Sequence, residues 1–176
     1  MIEYSVPFYY AAHGAFVLLL LVAAAFDVWK LILPNMVSIV LAAVFCAVAI
    51  LLPPGEIEWW SHLGAGAAVF VVGLLAFRFS LLGAGDIKLL TAIAVRAGFD
   101  YLPVLLVCIA LAGGGLALAV LLVRHMLRSL TLYVPMSGSL AAVQAVCERT
   151  KLPYGLAIAL GSIWAIYDLP PPGLLY

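Results

Sequence analysis

The chain has 176 residues, of which 68% are hydrophobic and only 9% are charged. An ordinary soluble domain carries roughly 25% charged residues, so a water-soluble globule is excluded. The numbers of basic and acidic residues are equal, and no run of like charges indicates a nucleic-acid partner or a polybasic lipid site. The composition predicts one polytopic domain over residues 1–176, with the lipid bilayer as its surroundings.

Apolar stretches separated by Gly, Pro or charged residues predict an all-α membrane protein with about six transmembrane helices. The predicted spans lie near residues 8–26, 36–52, 63–77, 87–99, 102–123 and 152–167. Fusing the fourth and fifth spans would give roughly 55 Å of helix against a hydrocarbon core of about 30 Å. We therefore expect a break near residues 100–103, with Pro103 opening the fifth helix.

The distribution of Lys and Arg predicts a topology with both termini outside, because cationic residues are retained on the cytoplasmic side. In this orientation every Lys and Arg except Arg96 lies at an inner connection. The outer loop before the third span carries Glu56 and the pair Trp59 and Trp60, which is typical of an interfacial anchor. The longest connection, 124–151, is expected on the cytoplasmic face.

Two aspartates lie at the ends of predicted spans, where ionisable residues are costly and are candidates for function. Asp27 ends the first span and Asp86 begins the fourth. These spans run in opposite directions, so both carboxylates reach the cytoplasmic boundary and can share one site. Two structural alternatives are open: Asp27 can pair with Lys30, and Asp86 can cap its own helix.

Glycines at positions 83 and 85 precede Asp86. A residue without a Cβ atom allows positive φ or close approach of a peptide backbone. A similar triplet at 64–66 has no aspartate after it, so the triplet alone is a weak signal. Together with a second aspartate at the same depth, it favours a shared carboxylate site.

These motifs resemble those of the type IV prepilin peptidases, a family of GxGD membrane aspartic peptidases, and especially its short members that serve Flp-type tight-adherence pili. Asp27 with the LPN segment at 33–35 is similar to the family's first aspartate and its [IV]-P-N element. The GAGDIK segment at 83–88 is similar to the GxGDxK element, and the PYG segment at 153–155 to the start of the last helix. Leucine at the first position of the LPN segment is a mild departure.

The resemblance implies an aspartic endopeptidase of the bacterial cytoplasmic (inner) membrane that removes the N-terminal leader of prepilin substrates and works with a pilus assembly machinery. It implies that Asp27 and Asp86 are catalytic. The residues that it implies for substrate binding or for the shape of the site are Gly83, Gly85, Lys88, Pro34, Asn35 and Tyr154. Structural roles stay open for three of them: Lys88 can snorkel to the interface, Asn35 can cap the second helix, and Tyr154 can serve packing.

Longer members of this family carry a cytoplasmic zinc-binding region with paired C-x-x-C motifs that methylates the mature pilin. Here only residues 27–35 separate the first two spans. The three cysteines, Cys46, Cys108 and Cys147, form no such pair. We therefore expect no methyltransferase activity, no bound metal and no cofactor.

Two carboxyl groups that share a site cannot both ionise cheaply, so the pair can hold one proton between them. The ionised member would then activate a water while the protonated member polarises the scissile carbonyl. A transporter or proton-relay protein is an alternative, because intramembrane carboxylates also mark ion paths. A second alternative is a non-catalytic pilus assembly factor whose Asp27 and Asp86 cap helices.

Overall fold

The computed structural model describes residues 5–30, 33–51, 57–133 and 153–167. All regular secondary structure within these ranges is α-helix, which confirms the all-helical prediction. The helices are α1 (Ser5–Lys30), α2 (Asn35–Leu51), α3 (Trp59–Arg78), α4 (Ala84–Tyr133) and α5 (Tyr154–Tyr167). Helices α1, α3 and α4 extend beyond their predicted apolar stretches into the polar and charged residues that flank them.

Three helical segments are long and apolar enough to cross a membrane: Tyr10–Lys30, Trp59–Arg78 and Ala84–Ser129. The apolar helices α2 and α5 are shorter. The chain is therefore a membrane protein by the length and apolar character of its helices, whereas six spans and their orientation stay a prediction.

The break between the predicted fourth and fifth spans lies at Gly98, inside the long helix α4. Gly98 has φ 67° and ψ 176°, and glycine accepts such a backbone because it has no Cβ. The expected position near residues 100–103 was wrong by a few residues, and Pro103 lies within the following segment rather than at its start. Helix α3 stabilises the break, since Phe99 N–H donates to Ser61 Oγ at 2.8 Å.

Glycines on α3 allow this helix to approach α4 closely. A Cβ atom on Gly73 would lie 2.7 Å from Ile87 Cγ2, and one on Gly64 would lie 2.6 Å from the Phe99 ring. Small residues at such positions promote packing of helices in membranes, where backbones can then come close together. Helix α3 thus supports α4 on both sides of its break.

The remaining helices form a ring in which α2 and α5 lie between α1 and α4. Helix α1 contacts α2 and α5, and α4 contacts both of these as well as α3. The largest fully buried hydrophobic side chains are Phe16, Leu20, Leu41, Leu89, Ile93, Leu105 and Ile166. This core holds the end of α1 opposite the beginning of α4.

A polar contact joins α1 and α4 at the other end of the ring. Arg96, the one cation predicted outside, places its Nη2 atom 3.2 Å from His13 Nδ1 and its guanidinium 4.5 Å from the centre of the Phe16 ring. Asp27 lies about 20 Å further along α1 at the helical rise per residue. This contact is therefore far from the aspartates.

The predicted connection 124–151 is partly helical, because α4 continues to Tyr133. Its remainder, residues 134–151, lies outside the described residues, and so does Glu56. The predicted anchor residues Trp59 and Trp60 begin α3 and are 42% and 90% exposed.

Candidate active site

Asp27 lies in the last turn of α1 and is only 6% exposed. Its Oδ2 atom accepts a hydrogen bond of 3.0 Å from Leu156 N–H, in the first turn of α5. The Lys30 ammonium lies 5.5 Å from the centre of the Phe26 ring, so its contact is with this ring. The structure therefore gives no support to the alternative in which Asp27 serves as the partner of Lys30.

Asp86 is the third residue of α4 and is half-buried. Its Oδ2 atom accepts Gly83 N–H at 3.2 Å, and Ile87 N–H donates to the Gly83 carbonyl oxygen at 3.2 Å. This side chain therefore supports its own helix from the first turn, as the acid of a capping box does. A Cβ atom on Gly83 would lie 2.9 Å from Asp86 Oδ2, so glycine leaves room for the carboxylate.

The two carboxylates lie at the same end of the helical ring, where Leu33 packs against Gly155 beside Asp27 and against Gly85 before Asp86. Each one uses its Oδ2 atom to accept a backbone N–H. Within the part of the chain that the structure describes, neither Oδ1 atom takes part in a hydrogen bond. One oxygen of Asp27 and one of Asp86 are thus available to a water molecule or a substrate.

Leu33 packs against two glycines, Gly155 beside Asp27 and Gly85 immediately before Asp86. A Cβ atom on Gly85 would lie 2.9 Å from Leu33 Cβ, and one on Gly155 would lie 2.9 Å from Leu33 Cδ1 and 2.8 Å from Asp27 Cγ. Leu33 of the same chain approaches Gly85 closely, whereas the approach of a substrate backbone to this glycine stays a prediction. The other expectation, a positive φ at this glycine, is wrong, since Gly98 has the only positive φ among the described glycines.

Lys88 and Asn35 connect the two sequence motifs. Lys88 Nζ donates a hydrogen bond of 2.9 Å to Asn35 Oδ1. Helix α2 closes its first turn with Val37 N–H on the Pro34 carbonyl oxygen at 3.1 Å, so the Asn35 side chain is used for α4 instead of capping. This hydrogen bond joins the LPN segment to the helix that carries Asp86.

Tyr154 is the first residue of α5 and is 46% exposed. It lies two positions before Leu156, the backbone donor to Asp27. Tyr154 is therefore near Asp27 along the chain fold, while its role in shaping the site or binding substrate stays a prediction.

Sequence reasoning missed the roles of Leu33 and Leu156. The backbone N–H of Leu156 could not be recognised, because every residue except proline carries such a donor. Leu33 could have been recognised from its place in the LPN segment, in which the resemblance gives roles only to the proline and the asparagine.

The chain matches the model of the type IV leader peptidase family over residues 14–118. This range contains Asp27, Asp86 and the two motif segments that Lys88 and Asn35 connect. Comparisons with curated proteins and with solved structures find no match. Because this match spans more than half of the chain's residues, the chain belongs to the type IV leader peptidase family.

Proposed function

We propose that this protein is a prepilin peptidase that removes the N-terminal leader of Flp-like type IV prepilins at the cytoplasmic face of the bacterial inner membrane. Family membership supports a leader peptidase function in general. The observation that supports the aspartic mechanism is that Leu33 lies against both Gly155, which adjoins Asp27, and Gly85, which precedes Asp86, so that aspartates from two different helices flank one residue.

Two neighbouring carboxyl groups can divide the chemistry of peptide hydrolysis between them. With one proton shared by the pair, the ionised member takes a proton from a water molecule as this water attacks the scissile carbonyl. The protonated member donates a hydrogen bond to the carbonyl oxygen and later transfers a proton to the leaving amine. The backbone N–H bonds to Oδ2 of Asp27 and Asp86 keep both carboxylates oriented for these steps.

The location of the pair favours a substrate that lies partly in the membrane. Asp27 lies three residues before Lys30 at the end of α1. Asp86 lies two residues before Lys88 at the beginning of α4. A prepilin would place its leader in the cytoplasm and its apolar helix in the bilayer, which brings the cleavage point to this depth. The link between α1 and α2 is too short for a zinc-binding region, so we expect peptidase activity without methylation of the product.

The decisive experiment is cleavage of a prepilin by the purified chain in proteoliposomes. We expect a shorter pilin whose new N-terminus, determined by mass spectrometry, lies directly after the leader. The same vesicles, loaded with a pH-sensitive dye, test the transporter alternative. Proton flux without cleavage would support a transporter, and a folded chain with neither activity would support a non-catalytic assembly factor.

The proposed orientation places the aspartates on the cytoplasmic side, and the two ends of α3 test it. After replacement of the native cysteines, single cysteines at Glu58 and Arg78 lie at opposite ends of one helix of membrane-spanning length. We expect an impermeant maleimide to label the Glu58→Cys variant in intact cells and the Arg78→Cys variant only after lysis. The reverse pattern would place Asp27 and Asp86 at the outer face and reject the cytoplasmic site.

A further inference from the structure

We infer that the N-terminus of α5 is a positioning element of the catalytic pair, acting through the backbone N–H of Leu156 and the missing side chain of Gly155. This inference rests on the proposed function. Helix α5 begins at Tyr154, outside the range 14–118 that matches the family model.

The hydrogen bond from Leu156 fixes one oxygen of a nearly inaccessible carboxylate. Asp27 is 6% exposed, and Leu156 N–H lies 3.0 Å from its Oδ2 atom. The first four N–H groups of an α-helix have no partner within the helix, and they carry the positive end of its dipole. Leu156 is the third residue of α5, so its N–H is one of these free donors and binds Asp27 Oδ2 without loss of a hydrogen bond within the helix.

Gly155 makes this approach possible because it carries no side chain. A Cβ atom there would lie 2.8 Å from Asp27 Cγ and 2.9 Å from Asp27 Oδ2, closer than real Cβ atoms come to their neighbours. Any larger residue at position 155 must therefore displace the carboxylate or move α5 away from α1. The carboxylate of Asp27 and the start of α5 thus fit each other only with glycine at this position.

The positioning has a chemical consequence for the reacting pair. With Oδ2 occupied by Leu156 N–H, the Asp27 carboxylate presents Oδ1 to the water or to the shared proton. Loss of the donor would let the carboxylate rotate out of this orientation. We therefore expect the chemical step to suffer more than substrate binding.

The test compares two substitutions at one position, Leu156→Pro and Leu156→Ala. Both remove the leucine side chain, but only proline removes the N–H, and a proline in the first turn costs the helix no internal hydrogen bond. In the proteoliposome assay we expect Leu156→Pro to lower kcat by roughly 10- to 100-fold, as for loss of one hydrogen bond to a charged group. KM should change little, and kcat should fall much less in Leu156→Ala, which keeps the N–H.

Gly155→Ala provides a second variant that keeps the N–H and crowds Asp27 instead. Its control is Gly114→Ala, because a Cβ atom on Gly114 has no neighbour within 4 Å. We expect a lower kcat with little change in KM in Gly155→Ala, and a wild-type kcat in Gly114→Ala.

Wild-type kcat in Leu156→Pro and Gly155→Ala would overturn this inference while leaving the peptidase function intact. A wild-type chain that cleaves no prepilin would instead reject the proposed function itself. Equal losses of kcat in Leu156→Pro and Leu156→Ala would assign the effect to the leucine side chain and would also overturn the role of the N–H.

Discussion

Replacing Asp27 or Asp86 by asparagine is expected to abolish cleavage of a prepilin while the protein still inserts and folds. Asparagine has nearly the shape of aspartate, and its carbonyl oxygen can still accept Leu156 N–H in α5 or Gly83 N–H at the start of α4. It cannot take a proton from water or hold the shared proton. Loss of a positioned acid or base lowers rates by roughly 10²- to 10⁴-fold, and each variant should lose at least this much in the proteoliposome assay.

A third aspartate provides the matched control for these variants. Asp100 is exposed on α4, beyond the break at Gly98, and the structure gives it no part in the site. Asp100→Asn should therefore cleave prepilin at the wild-type rate. Thermal unfolding in detergent should show similar midpoints for all three variants. A folded Asp27→Asn or Asp86→Asn protein that cleaves as fast as Asp100→Asn would reject the two-aspartate mechanism.

Much of the helical architecture could be predicted from the sequence because apolar stretches in a membrane have few alternatives to helix. The break in α4 shows where this reasoning ends. Length alone demands an interruption, but its position depends on Gly98 and on Ser61, which lies on another helix and accepts Phe99 N–H. Proline at 103 was the more visible signal, yet it lies inside the second segment of α4.

The two aspartates could be predicted because charges at the ends of apolar spans are rare and their depth follows from the direction of each helix. The contacts between the motifs could not be predicted, since they depend on the packing of α2 and α5 between α1 and α4. Asn35 had two possible roles in the sequence, and only its distance to Lys88 decides between them. The same holds for Leu33, whose neighbours at Gly85 and Gly155 are distant in sequence.

Gly85→Val is expected to cause the largest loss of processing among substitutions that leave both aspartates in place. The valine Cβ would lie 2.9 Å from Leu33 Cβ and 3.4 Å from the Leu33 carbonyl oxygen, and its two methyl groups would add to this overlap. Overpacking of this kind costs typically about 1–3 kcal/mol. The conflict lies one residue before Asp86 and pushes the start of α4 away from the segment that follows Asp27. We therefore expect processing to fall well below that of the wild type, by separation of the two carboxylates.

Gly115→Val separates this effect from the general cost of a β-branched residue in a helix. Gly115 also lies in α4, and a Cβ atom there has no neighbour within 4 Å, so this variant should insert and process normally. The conflict at Gly85 involves the Leu33 side chain first, so replacing Leu33 by glycine in the Gly85→Val protein should restore part of the lost processing. Wild-type rates in Gly85→Val would show that the start of α4 tolerates movement, and that close contact with Leu33 does not set the geometry of Asp27 and Asp86. Rescue by Leu33→Gly would instead show that Gly85 is needed for the packing of α4 against Leu33. It would also show that this packing sets the distance between Asp27 and Asp86.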